Sequence, residues 1–350
     1  VQGDWSSDVC SSDLYSKMKQ QTLKQFIAKS KSIKPNTIIP ALSCIKAQCI
    51  GENLVLTKSS LDAWLVEVTP VAKKFDVVIL FEEKPLNAYL SISKDEDINL
   101  SIKGNKVSMH AGSNTIEFTM IDAKEYPLAP VIEMENILQH VFTGDEADAL
   151  HMACTFVKKD IAGHAMENIF IVDGFIYASD GFYGIRYPTA APNMVISPQC
   201  AAVVQDGSRY VQSGNYTCIV SPDGSTRHLF ITPEATVPAF KTVFRTGDYV
   251  STINTAEIIT GLKIVQQMAS EKLVIAEIGD GRILYKEDAY GTLLDYSVTT
   301  GNFASKVNVQ PLLPLLSAIP QTQYDVHQVA PGIFYLNDGD LYIFFTTIQN

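Results

Sequence analysis

The chain has 350 residues, of which 46% are apolar and 19% charged, and its formal net charge is −11 at pH 7. That length predicts two or three domains, and the balance excludes a disordered or fibrous class. No apolar run approaches the ~18 residues of a membrane span, and the acidic total, taken alone, argues against nucleic acid as a partner.

Residues 4–14 read DWSSDVCSSDL. The run has neither an apolar period nor the charged and apolar regions of a signal peptide. It resembles the translation of a sequencing-library adapter, so residues 1–14 are kept out of the fold reasoning. Cys44, Cys49, Cys154, Cys200 and Cys218 then remain. They are odd in number and lack C-x-x-C spacing, which predicts buried thiols in a reduced, cytoplasmic chain.

From the N-terminus, an amphipathic helix is expected over 22–33. A Gly51 turn then leads into two strands over 51–68, and a β-rich run at 77–81 precedes a helix opened by Pro85. Alternation at Ile98, Leu100 and Ile102, and at Ile116, Phe118 and Met120, marks strands around a Gly104 turn. The order then recurs. A helix is expected over 145–158, a hairpin at Asp173-Gly174, a strand at 194–196, a helix opened by Pro198 and a turn at Gly224. A third set begins with a helix over 255–270, capped by Thr255, with Ile258, Ile259, Leu262 and Val265 on one face. A hairpin at Asp280-Gly281, a strand at 307–309, a helix opened by Pro311 and a turn at Gly332 follow.

Pro85, Pro198 and Pro311 stand at equal intervals of 113 residues. Proline suits a first helical turn, where its missing N–H costs nothing. The predicted fold class is therefore α+β, with three repeated domains at 15–132, 133–246 and 247–350. Each pairs two helices with antiparallel β-sheets.

Charge is uneven among the three. Residues 15–132 hold 15 lysines and 12 acids, residues 133–246 hold 7 basic residues and 12 acids, and residues 247–350 hold 5 and 11. The net values are +3, −5 and −6. The stretch 15–42 carries Lys17, Lys19, Lys24, Lys29, Lys31 and Lys34 without one acid. On a helix, Leu23, Phe26, Ile27 and Ile33 form an apolar arc with Lys24 and Lys31 off one flank and Lys29 off the other. Such a face is either simply solvated or turned toward phosphates, where lysine acts by diffuse, salt-dependent attraction.

The three-unit order, together with NTIIPAL at 36–42, the strand pair at 51–68, DAKEYPL at 122–128, IYASDG at 176–181 and VPAFKTV at 237–243, resembles the bacterial DNA polymerase III beta subunit, the sliding clamp. The resemblance implies three DNA-clamp domains per chain, and two chains closing head to tail into a ring around duplex DNA. It implies a processivity factor rather than an enzyme, without cofactor or metal. Its partners would be double-stranded DNA, a polymerase catalytic subunit, a clamp loader and a second copy, with no membrane. It also implies a client-peptide cleft. Ser179, Asp180 and Gly181 match the family's Thr-Asp-Gly turn, with Phe182 following. Pro238 and Val243 match pocket positions, Ile343, Phe344 and Phe345 match the C-terminal strand, Asn308 matches a pocket-edge asparagine, and Met166 is a weaker match. Candidate DNA-facing cations are Lys24, Lys29, Lys31, Lys34, Lys158, Lys159, Arg209 and Lys263. The chain departs from the family after Gly181, at its C-terminal end, and at Gln199 and Cys200, where a basic pair is usual.

Other chemistry is thinly supported. The six histidines show no H-x-x-x-H spacing, Asp95-Glu96-Asp97 lacks the rest of a calcium loop, and no G-x-S-x-G elbow is present. The alternative class is a β-rich repeat binding module, structural or carbohydrate-binding, without a ring. The helix pair expected in every unit favours the clamp.

Overall fold

The computed structural model describes residues 16–33, 39–71, 77–92, 97–132, 137–157, 165–245, 247–271, 273–287, 291–320 and 322–348. Seven α-helices occur among them: α1 (Gln20–Ser30), α2 (Glu83–Ile92), α3 (Gly144–Ala153), α4 (Pro198–Ala201), α5 (Phe240–Val243), α6 (Thr255–Met268) and α7 (Val309–Ala318). None of the described helices is long and apolar enough to cross a membrane. The chain divides into two compact units, Val1–Gln139 with Arg209–Ile231, and His140–Ser208 with Thr232–Asn350.

The first unit holds a four-stranded antiparallel sheet in the order Ser16–Lys19, Asp97–Lys103, Lys106–Ala111, Asn114–Thr119. It also holds seven successive strands of an eight-stranded sheet: Ile79–Glu82, Cys44–Ile50, Asn53–Ser59, Ala63–Pro70, Thr226–Ile231, Tyr216–Val220 and Arg209–Ser213. Helices α1 and α2 pack on each other. The predicted arc of α1 is the buried one, since Leu23, Phe26 and Ile27 are all enclosed. Gln20 is buried with them, and its Nε2 donates to the Leu90 carbonyl of α2 at 3.0 Å. Tyr89 of α2 donates to the carbonyls of Met109 and Asn114, which ties the pair to the four-stranded sheet. The 122–128 motif is a local brace. Asp122 caps a turn by accepting from Lys124 N at 2.9 Å, and Tyr126 is buried with its hydroxyl donating to Thr57 O at 3.0 Å. Burial pushes the Tyr126 phenol far up.

The second unit holds an eight-stranded sheet ordered Met194–Ile196, Ile169–Val172, Phe175–Ser179, Tyr183–Pro188, Tyr342–Thr346, Ile333–Asn337, Gln323–Ala330, Asp248–Asn254. Its four-stranded sheet runs Thr292–Ser297, Arg282–Glu287, Ile275–Gly279, Ser305–Asn308. Asp280 and Gly281 both take positive φ, 49° and 72°, as a two-residue hairpin turn of the primed type requires. Helix α6 packs on α7, and α3 on the strands Phe175–Ser179 and Tyr183–Pro188.

The element order expected from sequence is present, with differences at the ends. Helix α6 starts at Thr255, but its cap is Asn254, whose Oδ1 accepts from the N–H of Ala256 and Glu257. Helix α3 ends at Ala153, short of residue 158. Helix α4 is a single turn, capped by Ser197 with Pro198 at its start. The four-residue helix over 198–201 gives way to turns rather than continuing through Val204.

Candidate DNA-facing helices and client cleft

The cations fall into different settings. Lys31, which follows the last residue of α1, is exposed, and Lys24 on α1 is partly so. Lys29 is captured by the sheet beneath, with Nζ 2.6 Å from Glu67 Oε2 and 2.9 Å from Thr226 Oγ1. Glu67 is only 7% exposed in its side chain, so Lys29 acts as the counterion of a buried acid. Close by on that sheet, His228 is buried and its Nδ1 has no hydrogen-bond partner. Burial, and then the Lys29 charge, holds its imidazole down to about 4. Lys58, almost fully enclosed, pairs with Glu83 at the start of α2 at 2.8 Å. Arg209 is exposed on a strand, and Lys263 is exposed on α6 in the second unit. Lys34, Lys158 and Lys159 lie outside the described residues. Sequence reasoning passed over Lys84, an exposed cation on α2, because the acids beside it, Glu82 and Glu83, mask the local charge.

Helix α3 carries the opposite sign. Thr143 and Glu146 form a reciprocal capping box, with Glu146 N donating to Thr143 Oγ1 and Thr143 N to Glu146 Oε2. Glu146 also accepts from Thr189 Oγ1 at 2.5 Å and lies 2.9 Å from His140 Nε2. Burial pushes this carboxyl up, but the bonds from Thr189, Thr143 and His140 outweigh it, and the net shift is downward. Asp145, Asp148, His151 and Met152 line a cavity of about 620 Å3 together with Tyr187, Leu341, Asp338 and Asp340. Burial, reinforced by Asp145, Asp340 and Asp338, raises the Tyr187 phenol. Among its described residues α3 offers no lysine or arginine.

The residues expected in a client cleft form two groups. The first surrounds the Ser179-Asp180-Gly181 turn. Ser179 Oγ accepts from Gly181 N and donates to Tyr183 O, while Asp180 Oδ1 accepts from the N–H of Phe182 and Tyr183. Gly181 takes φ +97°, and the Met166 sulfur lies 3.7 Å from where a Cβ would stand. Phe182 is left 64% exposed. Tyr183 is buried, and burial and then Asp180 push its phenol up to about 12. The second group is the 238–244 segment. Phe240 stacks on Tyr177 at 4.7 Å, and Phe244 lies 5.3 Å from both Tyr177 and Phe344. Pro238 lies two residues before Phe240 and Val243 directly before Phe244, with Val243 39% exposed.

The C-terminal strand joins the two groups, because Thr346 N donates to Phe182 O at 3.0 Å. Its pleat divides the predicted triplet. Phe344 faces Phe244, over Gly184. Phe345 points to the other side, against Phe303 and Phe334, and Ile343 shares that side. All three are buried. Asn308 lies apart from these groups along the chain, on the four-stranded sheet, where its Oδ1 caps α7 by accepting from Gln310 N at 3.2 Å. Phe244, Phe240 and Tyr177 were not singled out from sequence, although the F-x-x-x-F spacing across a one-turn helix signals an anchored segment.

Helix pairs combined with antiparallel sheets of four and eight strands are the architecture of DNA clamps, and solved structures place the chain in that fold. It superposes on the sliding clamp of Bartonella birtlesii bound to griselimycin with TM-score 0.82, at 12% identity, covering 96% of this chain and 100% of that one. The beta subunit of Thermotoga maritima matches with TM-score 0.81, at 15% identity, over 96% and 99% of the two chains. The Helicobacter pylori clamp bound to a DNA ligase peptide matches with TM-score 0.77, at 15% identity, over 96% and 100%. No protein-family model and no curated protein matches the sequence.

Proposed function

We propose that this chain is a DNA polymerase processivity factor, a sliding clamp that encircles duplex DNA and tethers a polymerase and other clients. The observation that carries the reading is likeness of fold along 96% of the chain to beta sliding clamps, one of them bound to a DNA ligase peptide. In this reading residues 15–132, 133–246 and 247–350 are three clamp domains, and two copies close head to tail. It acts in the cytoplasm by tethering rather than by catalysis.

The charge distribution supports it. A closed ring is retained by topology and needs only weak, mobile phosphate contacts. Lys24 on α1 and Lys31 at its C-terminal end, with Lys263 on α6, supply such contacts, and the acidic remainder limits nonspecific binding. The segment 238–244, the Gly181 turn and the C-terminal strand form the client socket. Phe182 and Val243 are its accessible apolar groups, and the Phe244–Phe344 pair is its floor.

An extension assay tests the reading. On a primed single-stranded circle with a bacterial clamp loader and replicative polymerase, the chain is expected to lengthen the products of each binding event. Product lengths unchanged by the chain would remove the reading.

A further inference from the structure

Arg186 projects from the strand Tyr183–Pro188 onto the same sheet face as Phe344. In register it stands opposite Tyr177 on one side and Tyr342 on the other. Its guanidinium carbon is 4.9 Å from the Phe175 ring centre and 3.9 Å from that of Tyr342. Among the described residues it makes no ion pair, and its Nε is buried without a hydrogen-bond partner. Asp173 acts on the same Tyr177 phenol as Arg186 does, but it is already engaged by Lys241 at 2.8 Å. A half-buried guanidinium held by two aromatic rings and lacking an anion is a pre-positioned donor fork.

The chemistry that completes it is a carboxylate, whose two oxygens match the guanidinium edge. A duplex phosphate fits poorly, because a nucleic-acid surface needs several cations, whereas here Arg186 is flanked by aromatic groups and the neighbouring Lys241 is already paired with Asp173. The next position along the strand on this face is Gly184, covered by Phe344, so the fork lies beside the aromatic floor. We propose that Arg186 anchors a carboxylate of the client peptide next to an aromatic or aliphatic side chain that packs on the Phe244–Phe344 floor. The proposal rests on the clamp reading and names the chemistry that its socket selects.

The test is a titration of the full chain, followed by the Nε–H resonance of Arg186, with three peptides. N-acetyl-Phe-Glu-amide carries a side-chain carboxylate, N-acetyl-Phe-Phe carries a free C-terminal one, and N-acetyl-Phe-Gln-amide carries none. One or both acids are expected to bind saturably and about tenfold more tightly than the Gln peptide, the worth of one charge-assisted hydrogen bond. Which acid binds identifies the source of the carboxylate. Arg186→Lys, which keeps the charge and loses the fork, is expected to erase most of that preference. Arg186→Met is expected to erase all of it, with folding checked by unchanged spectra elsewhere. Neither acid binding more tightly than the Gln peptide, a preference surviving in Arg186→Met, or no saturable shift with any peptide would overturn the proposal. The titration needs neither DNA nor polymerase, so its failure is distinct from failure of the extension assay.

Discussion

Helices α1 and α3 are amphipathic elements of similar length that present opposite chemistry. Helix α1 carries lysines and no acid, and one of its lysines is drawn down onto a buried carboxylate of the sheet. Helix α3 carries acids and no lysine or arginine, and one of its acids is drawn into its own cap. In each helix the charge nearest the body of the protein holds the helix in place. A bare count of charges therefore overstates the binding face of α1. Lys29 belongs to the fold, and Lys24 and Lys31 to the surface.

The largest effect that separates the two helices is on stability against pH. The His228 imidazole, beneath α1, is held at about 4, below its unfolded value of about 6.5. The unfolded chain takes up the proton first, so stability is lost as pH falls from 6.5 to 4 and no further below that. The loss is roughly 3 kcal/mol at the end of the window. His228→Gln is expected to flatten that part of a urea-melt series, and an unchanged slope would detach His228 from the anchor of α1. Next, Lys29→Met is expected to cost about 2 kcal/mol by leaving Glu67 buried without a cation. Its effect on DNA retention should be smaller than that of changing Lys24 and Lys31.

On α3, Glu146→Gln is expected to cost about 1 kcal/mol at neutral pH through loss of charge-assisted bonds. Because the folded carboxyl is shifted down, its contribution is present above the unfolded value near 4.5 and disappears as pH falls through the lower folded value. The variant should therefore converge with the parent in acid, which equilibrium unfolding at several pH values checks. The smallest effect is on DNA. Lys24→Gln with Lys31→Gln should reduce the salt slope of DNA affinity by up to about two, at roughly 0.9 per phosphate contact. Asp145→Asn with Asp148→Asn should leave affinity the same or slightly raised. Weaker binding in the acid-to-amide pair would break the comparison.

The order of elements was legible in the sequence because it is written in local signals. Proline opens a helix by its own geometry, glycine permits positive φ at turns, and alternation marks a half-buried strand. The equal spacing of Pro85, Pro198 and Pro311 matched the starts of α2, α4 and α7 within two residues. The length of α4 was not legible, because the apolar run after Pro198 packs against the core as turns as readily as it would as a helix. The roles of individual charges were not legible either. Lys29 meets a partner 38 residues away and another 197 residues away, and no local pattern reports such pairs. The C-terminal strand gives the same lesson. Ile343, Phe344 and Phe345 read as one apolar patch, and the pleat sends them to two sides of the sheet, so only Phe344 joins the aromatic floor. Arg186 carries no local mark in the sequence that sets it apart from other cations. Its lack of an acid partner among the described residues is visible only in three dimensions.

The central claim is that this chain holds DNA by encircling it. The direct measurement is to load it on nicked circular duplex with a clamp loader, remove free protein, cut the circle once and follow the bound fraction. Encirclement predicts stable retention on the circle and rapid release after the cut, at a salt concentration that already suppresses open binding. Equal retention before and after the cut would contradict it.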